Sequence, residues 1–322
     1  MFPRQTGVAL ITVILISAII ILMVFAMTEQ QVVDARRSSN MTERYQAYMF
    51  AEWAEGWAKR ILLEDTNTTD HKQEDWTTVI PPFEVDGGFI SGSITDRSGC
   101  FNLNNLVDAA GNPQPVDIER YKRLLAALEL DSGLADATVD WLDKDSNLTF
   151  PHGAESDHYA RLEPPYAIAN QPFVSSSELL AVKGYDAEIF SKLGPYVCAL
   201  PVSNSKINVN FAEIPVLMSM APAISQAVAE AIVQERDKPQ QGLVTKDGFA
   251  SVDDMLNGPS LNSLLPATVK TDIKTRYGVV SSYFLLQTDT SFSRSDMVVY
   301  SLFERNSGSK KITTHFRAQG SY

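Results

Sequence analysis

Gly7-Val-Ala-Leu-Ile-Thr-Val-Ile-Leu-Ile-Ser-Ala-Ile-Ile-Ile-Leu-Met-Val-Phe-Ala-Met27 is an apolar run that only Thr12 and Ser17 interrupt. About twenty residues of helix, rising 1.5 Å each, span roughly 30 Å, which matches a bilayer's hydrocarbon core. The stretch predicts a membrane-spanning helix over residues 8–27. Residues 1–7 carry Arg4 and no acidic side chain, so the positive charge keeps this stub cytoplasmic and sends the rest of the chain across. A cleaved secretory signal would have a shorter apolar core ending in a small-x-small site, whereas Phe25, Met27, Glu29 and Gln30 follow here. One span with the bulk of the chain exported is the resulting topology.

Helical character continues outward. Residues 28–64 contain no Pro and a single Gly, Gly56, while apolar residues recur every three or four positions, which predicts an amphipathic stem. Its outer part is expected to pack a Tyr45/Trp53/Trp57 stripe against a globular head. The polar, Thr-rich residues 65–75 break it. Pro81-Pro82 open a strand-like segment over residues 83–95 with a Gly87-Gly88 turn inside it. Near the other end, residues 279–286, 297–303 and 312–316 read as antiparallel strands separated by polar turns at 288–295 and 305–310. Between these β regions lies a Pro-punctuated helical block, residues 117–275. The pattern is α+β, with helices inserted before a sheet is completed.

The chain has 322 residues, 44% of them hydrophobic, and a net charge of −12, enough for one or two folded domains beyond the anchor. An acidic surface argues against nucleic acid as a partner. Cys100 and Cys198 are the only cysteines, and in an exported chain an even count favours a disulfide; two buried free thiols are the alternative.

Gly7 standing directly before the apolar run resembles a type IV prepilin leader. In that family a prepilin peptidase cuts after the Gly on the cytoplasmic face and methylates the new amine, here that of Val8. Pilins usually carry Glu five residues after the cut; Thr12 stands there in this chain. A carboxylate in lipid is costly without an opposite charge, so its absence fits a subunit with no neighbour above it. Tyr45-Gln-Ala-Tyr48, Ala51-Glu-Trp-Ala-Glu55, Gly99-Cys-Phe-Asn-Leu-Asn104, Asp140-Trp-Leu-Asp143, Pro164-Pro-Tyr166, Ala169-Asn-Gln-Pro172 and Lys206-Ile-Asn-Val-Asn210 follow in order. With them the chain resembles the minor pseudopilin K family of type II secretion (general secretion pathway protein K). The resemblance implies a pseudopilin fold, a long N-terminal helix packed on an antiparallel sheet, with a large inserted α-helical domain. Mapped onto this sequence, that gives a leader at 1–7, a transmembrane helix at 8–27, a periplasmic stem at 28–65, a first β part at 66–105, an inserted helical domain at 106–275 and closing strands at 276–322. It also implies a place at the tip of a pseudopilus in the bacterial inner membrane, with minor pseudopilins I and J beside it and the major pseudopilin below, nucleating assembly and supporting export of folded proteins. The alternative is a single-pass periplasmic calcium-binding or substrate-recognition protein that does not polymerise.

Chemistry concentrates in Asp140-Trp-Leu-Asp-Lys-Asp-Ser-Asn147, followed by Glu155, Asp157 and Glu163. Asp143-x-Asp145-x-Asn147 begins like a calcium-binding ladder of hard oxygen ligands, then departs from the EF-hand, with Leu148 at the sixth position and Ala154 at the twelfth. The family binds calcium in its inserted domain, and the resemblance implies Asp143, Asp145, Asn147, Glu155, Asp157 and Asn170 as ligands. A solvated acidic loop is the competing reading. His152 and His158 lack the spacing of a helical zinc motif, and Pro151 and Gly153 make that segment a loop. Residues 208–255 echo a helix-hairpin-helix, but the turn is Ala221-Pro-Ala223 and the flanks carry Glu213, Glu230 and Glu235, which suits protein packing rather than DNA. With four His, no nucleophile elbow and no phosphate-cradling loop, the sequence offers no nucleophile and base pair, and no enzyme is expected.

Overall fold

The computed structural model describes residues 6–65, 68–238, 248–292, 295–306 and 308–320. With no Pro to break it, helix α1 (Thr6–Glu64) is continuous through the apolar run and the stem. Its 59 residues reach about 88 Å at 1.5 Å each. Among the described residues it is the one helix long and apolar enough to cross a membrane, and its apolar side chains from Leu10 to Met27 are exposed.

Only the outer end of α1 meets the head, and it does so through a face different from the one its aromatic residues suggest. Ala47, Ala51, Glu55, Ala58 and Leu62, three or four residues apart, are buried, whereas Tyr45 and Trp53 are 65% and 60% exposed and Trp57 is 39% exposed. The expected Tyr45/Trp53/Trp57 stripe is therefore not the packing face. Alanines let the helix axis come close to the sheet, which bulky indoles would hold away.

After a single-turn helix at Asp75–Thr77, β1 (Ile80–Val85) and β2 (Gly88–Asp96) form a hairpin closed by Asp86-Gly87, with Gly87 at φ 87° as this tight turn requires. Pro81 and Pro82 lie inside β1 and not before it, tolerated because β1 is the sheet's edge. The chain then leaves the sheet until Tyr283. This insert contains β3 (Phe101–Asn102), α2 (Pro115–Ala127), α3 (Leu134–Leu142), α4 (Ser156–Tyr159), α5 (Ala187–Leu193), β4 (Val197–Cys198), β5 (Ile207–Asn208), α6 (Ile214–Ser219), α7 (Gln226–Arg236), α8 (Val252–Asn257), α9 (Ala267–Arg276) and β6 (Tyr277–Gly278). The two-residue strands pair in parallel, β3 with β4 and β5 with β6. The sheet is completed by β7 (Tyr283–Phe292), β8 (Ser295–Asn306) and β9 (Lys311–Gln319) in the antiparallel order β1-β2-β7-β8-β9. The polar stretch from Thr288 onward is thus strand and not turn as far as Phe292, because Thr288 and Thr290 turn inward and are buried between β2 and β8.

Two cores result. Ala58, Leu62, Trp76, Ile94, Phe284, Leu286 and Phe303 join α1 to the sheet, while Tyr121, Leu124, Val139, Leu142, Val216, Ile232 and Ile273 belong to the larger core of the insert. The Cys100–Cys198 disulfide, with Cα atoms 5.9 Å apart, ties the exit of the sheet to β4. This is an α+β fold: a long helix on an antiparallel sheet interrupted by a helical domain.

Candidate metal centre

Helix α3 ends at Asp143, its C-terminal cap, and the chain turns back over the helix before α4 begins after Glu155. The reversal brings carboxylate oxygens of Asp143, Asp145 and Glu155 within 4.8 Å of one another. Asp145 Oδ1 accepts the Asn147 N–H at 2.7 Å, an Asx-type turn that bends the chain where it leaves Asp143.

Among the described residues no cationic side chain pairs with this group. Asp143 is 1% exposed and its Oδ1 has no hydrogen-bond partner, and neither oxygen of Glu155 has one. Burial, reinforced by Asp145, Asp140 and Glu155, pushes the Asp143 carboxyl up to about 7. Burial and neighbouring acids raise Glu155 as well. Lys144, between the two aspartates in sequence, is exposed and lies against Gly111 instead. Converging like charges, with Asp143 buried and oxygens of Asp143 and Glu155 left free, are what a hard cation satisfies, so the donors fit Ca²⁺.

The other expected ligands are placed less closely. Asn147 is exposed. Asp157, in the first turn of α4, stands outside the carboxylate group but shares with Glu155 the lining of an open depression of 620 Å³. Asn170 adopts φ 45° and leaves a buried Oδ1 without a partner. No histidine joins the group: His152 Nδ1 lies 3.5 Å from Asp136, and the His158 ring meets the Tyr159 ring edge-on.

A second carboxylate group, which sequence reading missed, sits where α1 hands over to the sheet: Asp65, Asp70 and Glu74 also converge within 4.8 Å. Here the protein supplies its own cation. Arg305 Nη1 donates to Asp65 at 2.7 Å and Nη2 to both Asp70 oxygens, while Glu74 accepts the His71 N–H and the Trp76 indole N–H. Asp70 also accepts the Ser281 N–H at 2.7 Å, and its backbone carbonyl takes the side-chain amides of Asn208 and Asn210. This group therefore locks stem, sheet and insert together. The partner that distinguishes it from the first group, Arg305, is 240 residues from Asp65, beyond the reach of any local motif.

The helix-hairpin-helix echo resolves into packing. Arg236, at the end of α7, is buried and donates to the Val209 and Ala212 carbonyls, so it cannot grip phosphate. At the other end of the molecule Gly7 and Val8 lie in the first turns of α1, and the first five residues of the expected leader lie outside the described residues. Thr12 donates its hydroxyl to the Ala9 carbonyl at 2.9 Å, closing it onto its own helix.

Fold and site together define a pseudopilin, a helix long and apolar enough to cross a membrane standing on an antiparallel sheet, with a helical insert that gathers a group of carboxylates. Two family profiles described as Type II secretion system (T2SS), protein K match residues 99–202 and 207–279. The Type II secretion system protein K of Pseudomonas aeruginosa is 34% identical over 319 residues, covering 95% of this chain and 90% of the relative. That of Aeromonas hydrophila is 35% identical over 222 residues, covering 64% and 67%. Among solved structures, the crystal structure of the GspK-GspI-GspJ complex from the enterotoxigenic Escherichia coli Type 2 Secretion System superposes with a TM-score of 0.78 at 25% identity, over 89% of this chain and all of that one. The chain belongs to the type II secretion system protein K family and is a minor pseudopilin.

Proposed function

We propose that this minor pseudopilin begins and caps a pseudopilus in the inner membrane of a bacterium, and so supports export of folded proteins from the periplasm. Its role is assembly, not catalysis. Prepilin peptidase would remove residues 1–7 and methylate Val8; the head would sit in the periplasm beside minor pseudopilins I and J, above the major pseudopilin. The related GspK-GspI-GspJ complex supports the choice of partners. The observation that carries the reading is Thr12: its side chain is exposed on a membrane-spanning helix, has no carboxylate, and spends its hydroxyl on the helix itself. A subunit so made offers nothing to neutralise the amine of a subunit above it. N-terminal sequencing of the assembled protein tests the processing step, with N-methylvaline 8 expected; normal assembly by an uncleaved Gly7→Leu protein would end the reading.

The insert would hold Ca²⁺ on Asp143, Asp145 and Glu155, with Asn147, Asp157 and Asn170 as further oxygen donors. The ion would supply the positive charge that these carboxylates, one of them buried, lack. Asp143 and Glu155 would bind it, and the turn at Asp145 orients the third carboxylate toward them. Calorimetric titration of Ca²⁺ into the purified full-length protein in detergent is expected to show saturable binding that Asp143→Asn weakens.

A further inference from the structure

Helix α3 presents Asp136, Asp140 and Asp143 at i, i+4 and i+7, one above another on a single face. The first two spend oxygens on the loop that returns past them. Asp136 Oδ2 accepts the His152 N–H at 3.3 Å, and Asp140 Oδ1 accepts the Thr149 N–H at 3.0 Å. The fit is close: a side chain on Gly153 would place its Cβ 2.2 Å from Asp140 Oδ2. From the other side of the loop Lys183 Nζ donates to the His152 carbonyl at 3.1 Å and to the Gly153 carbonyl at 3.0 Å. The loop is thus held by its N–H groups on one side and its carbonyls on the other. The third aspartate receives none of these bonds, and Glu155, the next residue beyond the clamp, is delivered to it.

We propose that Asp140 and Lys183 are positioning residues for the cation site: they clamp residues 149–154 against α3, set Glu155 beside Asp143, and raise cation affinity without touching the ion. This rests on the cation reading of Asp143, Asp145 and Glu155. Residues that orient ligands typically change affinity by about 10–100-fold when removed. Asp140 alone cannot prove the point, because losing any nearby negative charge weakens cation binding. Lys183 can. Deleting a positive charge that rests on the Gly153 carbonyl, two residues before the ligand Glu155, should by Coulomb's law alone strengthen cation binding; if Lys183 acts by holding the loop, the effect has the opposite sign.

The test is calorimetric titration with Ca²⁺ alone on the full-length protein in detergent, wild type against Lys183→Met, Lys183→Arg and Gly153→Ala, with thermal midpoints measured in chelator. Lys183 is exposed, so its replacement leaves the core intact. Expected are a tenfold or greater loss of affinity in Lys183→Met and Gly153→Ala, recovery in Lys183→Arg, whose guanidinium can serve two carbonyls, and a metal-free midpoint in Lys183→Met close to wild type. Unchanged or tighter binding by Lys183→Met, or an equal loss in Lys183→Arg, overturns the clamp and leaves the cation site standing. Absence of binding by the wild type overturns both.

Discussion

Asp143 carries a buried carboxylate with an oxygen that no protein group satisfies, and its neutral isostere separates the two things that carboxylate does. In chelator, Asp143→Asn removes a like charge from beside Asp145 and Glu155, and the thermal midpoint is expected to rise. At Ca²⁺ one hundred times its dissociation constant the wild type gains about 2.7 kcal/mol by mass action, and the variant loses most of that gain. The order of the two midpoints thus inverts on adding calcium; a variant below wild type in both conditions would remove the repulsion argument. Glu74 makes a different prediction. Burial first, then Asp65 and Asp70, push its carboxyl from 4.5 up to about 8, while the His71 and Trp76 N–H groups pull the other way. The folded state therefore binds a proton that the unfolded chain releases from about pH 4.5 upward. The stability this confers is complete below pH 4.5 and lost as pH rises through 8. Thermal midpoints measured between pH 5 and pH 8 should fall in the wild type more steeply than in Glu74→Gln; parallel curves would clear Glu74 of the effect.

Between stem and sheet, the element that decides the geometry is the outer end of α1. Glu55 accepts the Ser301 hydroxyl at 2.6 Å and both Arg317 Nε and Nη2; burial opposes its ionisation, but Arg317 and Ser301 hold the carboxyl below its usual range. Glu55→Gln breaks charge-assisted bonds in a buried setting and is expected to cost about 2 kcal/mol, read as a lower denaturant midpoint with unchanged slope. The existence and length of this helix were legible from its three- and four-residue periodicity and the lack of Pro. Its packing face was not, because periodicity ranks Trp53 and Trp57 above Ala51 and Ala58, while the sheet selects for close approach. Strand β7 shows the same limit. Composition marks Thr288 and Thr290 as turn residues, yet pairing with β2 on one side and β8 on the other buries them, and those partners lie far off in sequence or beyond the next turn. At the candidate metal centre Asp143, Asp145 and Glu155 were readable as a spaced acidic run. The bond from Thr149 to Asp140 was not, because nothing in Asp140-Trp-Leu-Asp143 says which carboxylate meets backbone and which is left free.

Across the whole molecule, Asp70 ties insert to sheet, its carboxylate held by Arg305 of β8 and its backbone carbonyl by Asn208 and Asn210, and a disulfide whose cysteines lie 98 residues apart closes the insert beside the point where the chain leaves the sheet. Replacing both cysteines with Ser is expected to lower stability by about 2–5 kcal/mol, the range for long closed loops. The fold also bears on where this subunit sits in a fibre. A subunit that joins beneath another can neutralise the amine above it with its own carboxylate; with Thr12 closed onto Ala9, this chain has none to offer. Once processed as proposed, it would still present its own Val8 amine to a subunit below, a polarity that permits first place and disfavours any later one. The insert points the same way: residues 97–282 leave the sheet as one bulky body with its own core, which at the tip meets no subunit stacked above. The expected outcome is about one copy per fibre, with gold-labelled heads at one end only. Thr12→Glu should leave assembly nearly unchanged, since first place requires no carboxylate. Heads found at regular intervals along native fibres would show that neither Thr12 nor the insert confines this subunit to the tip.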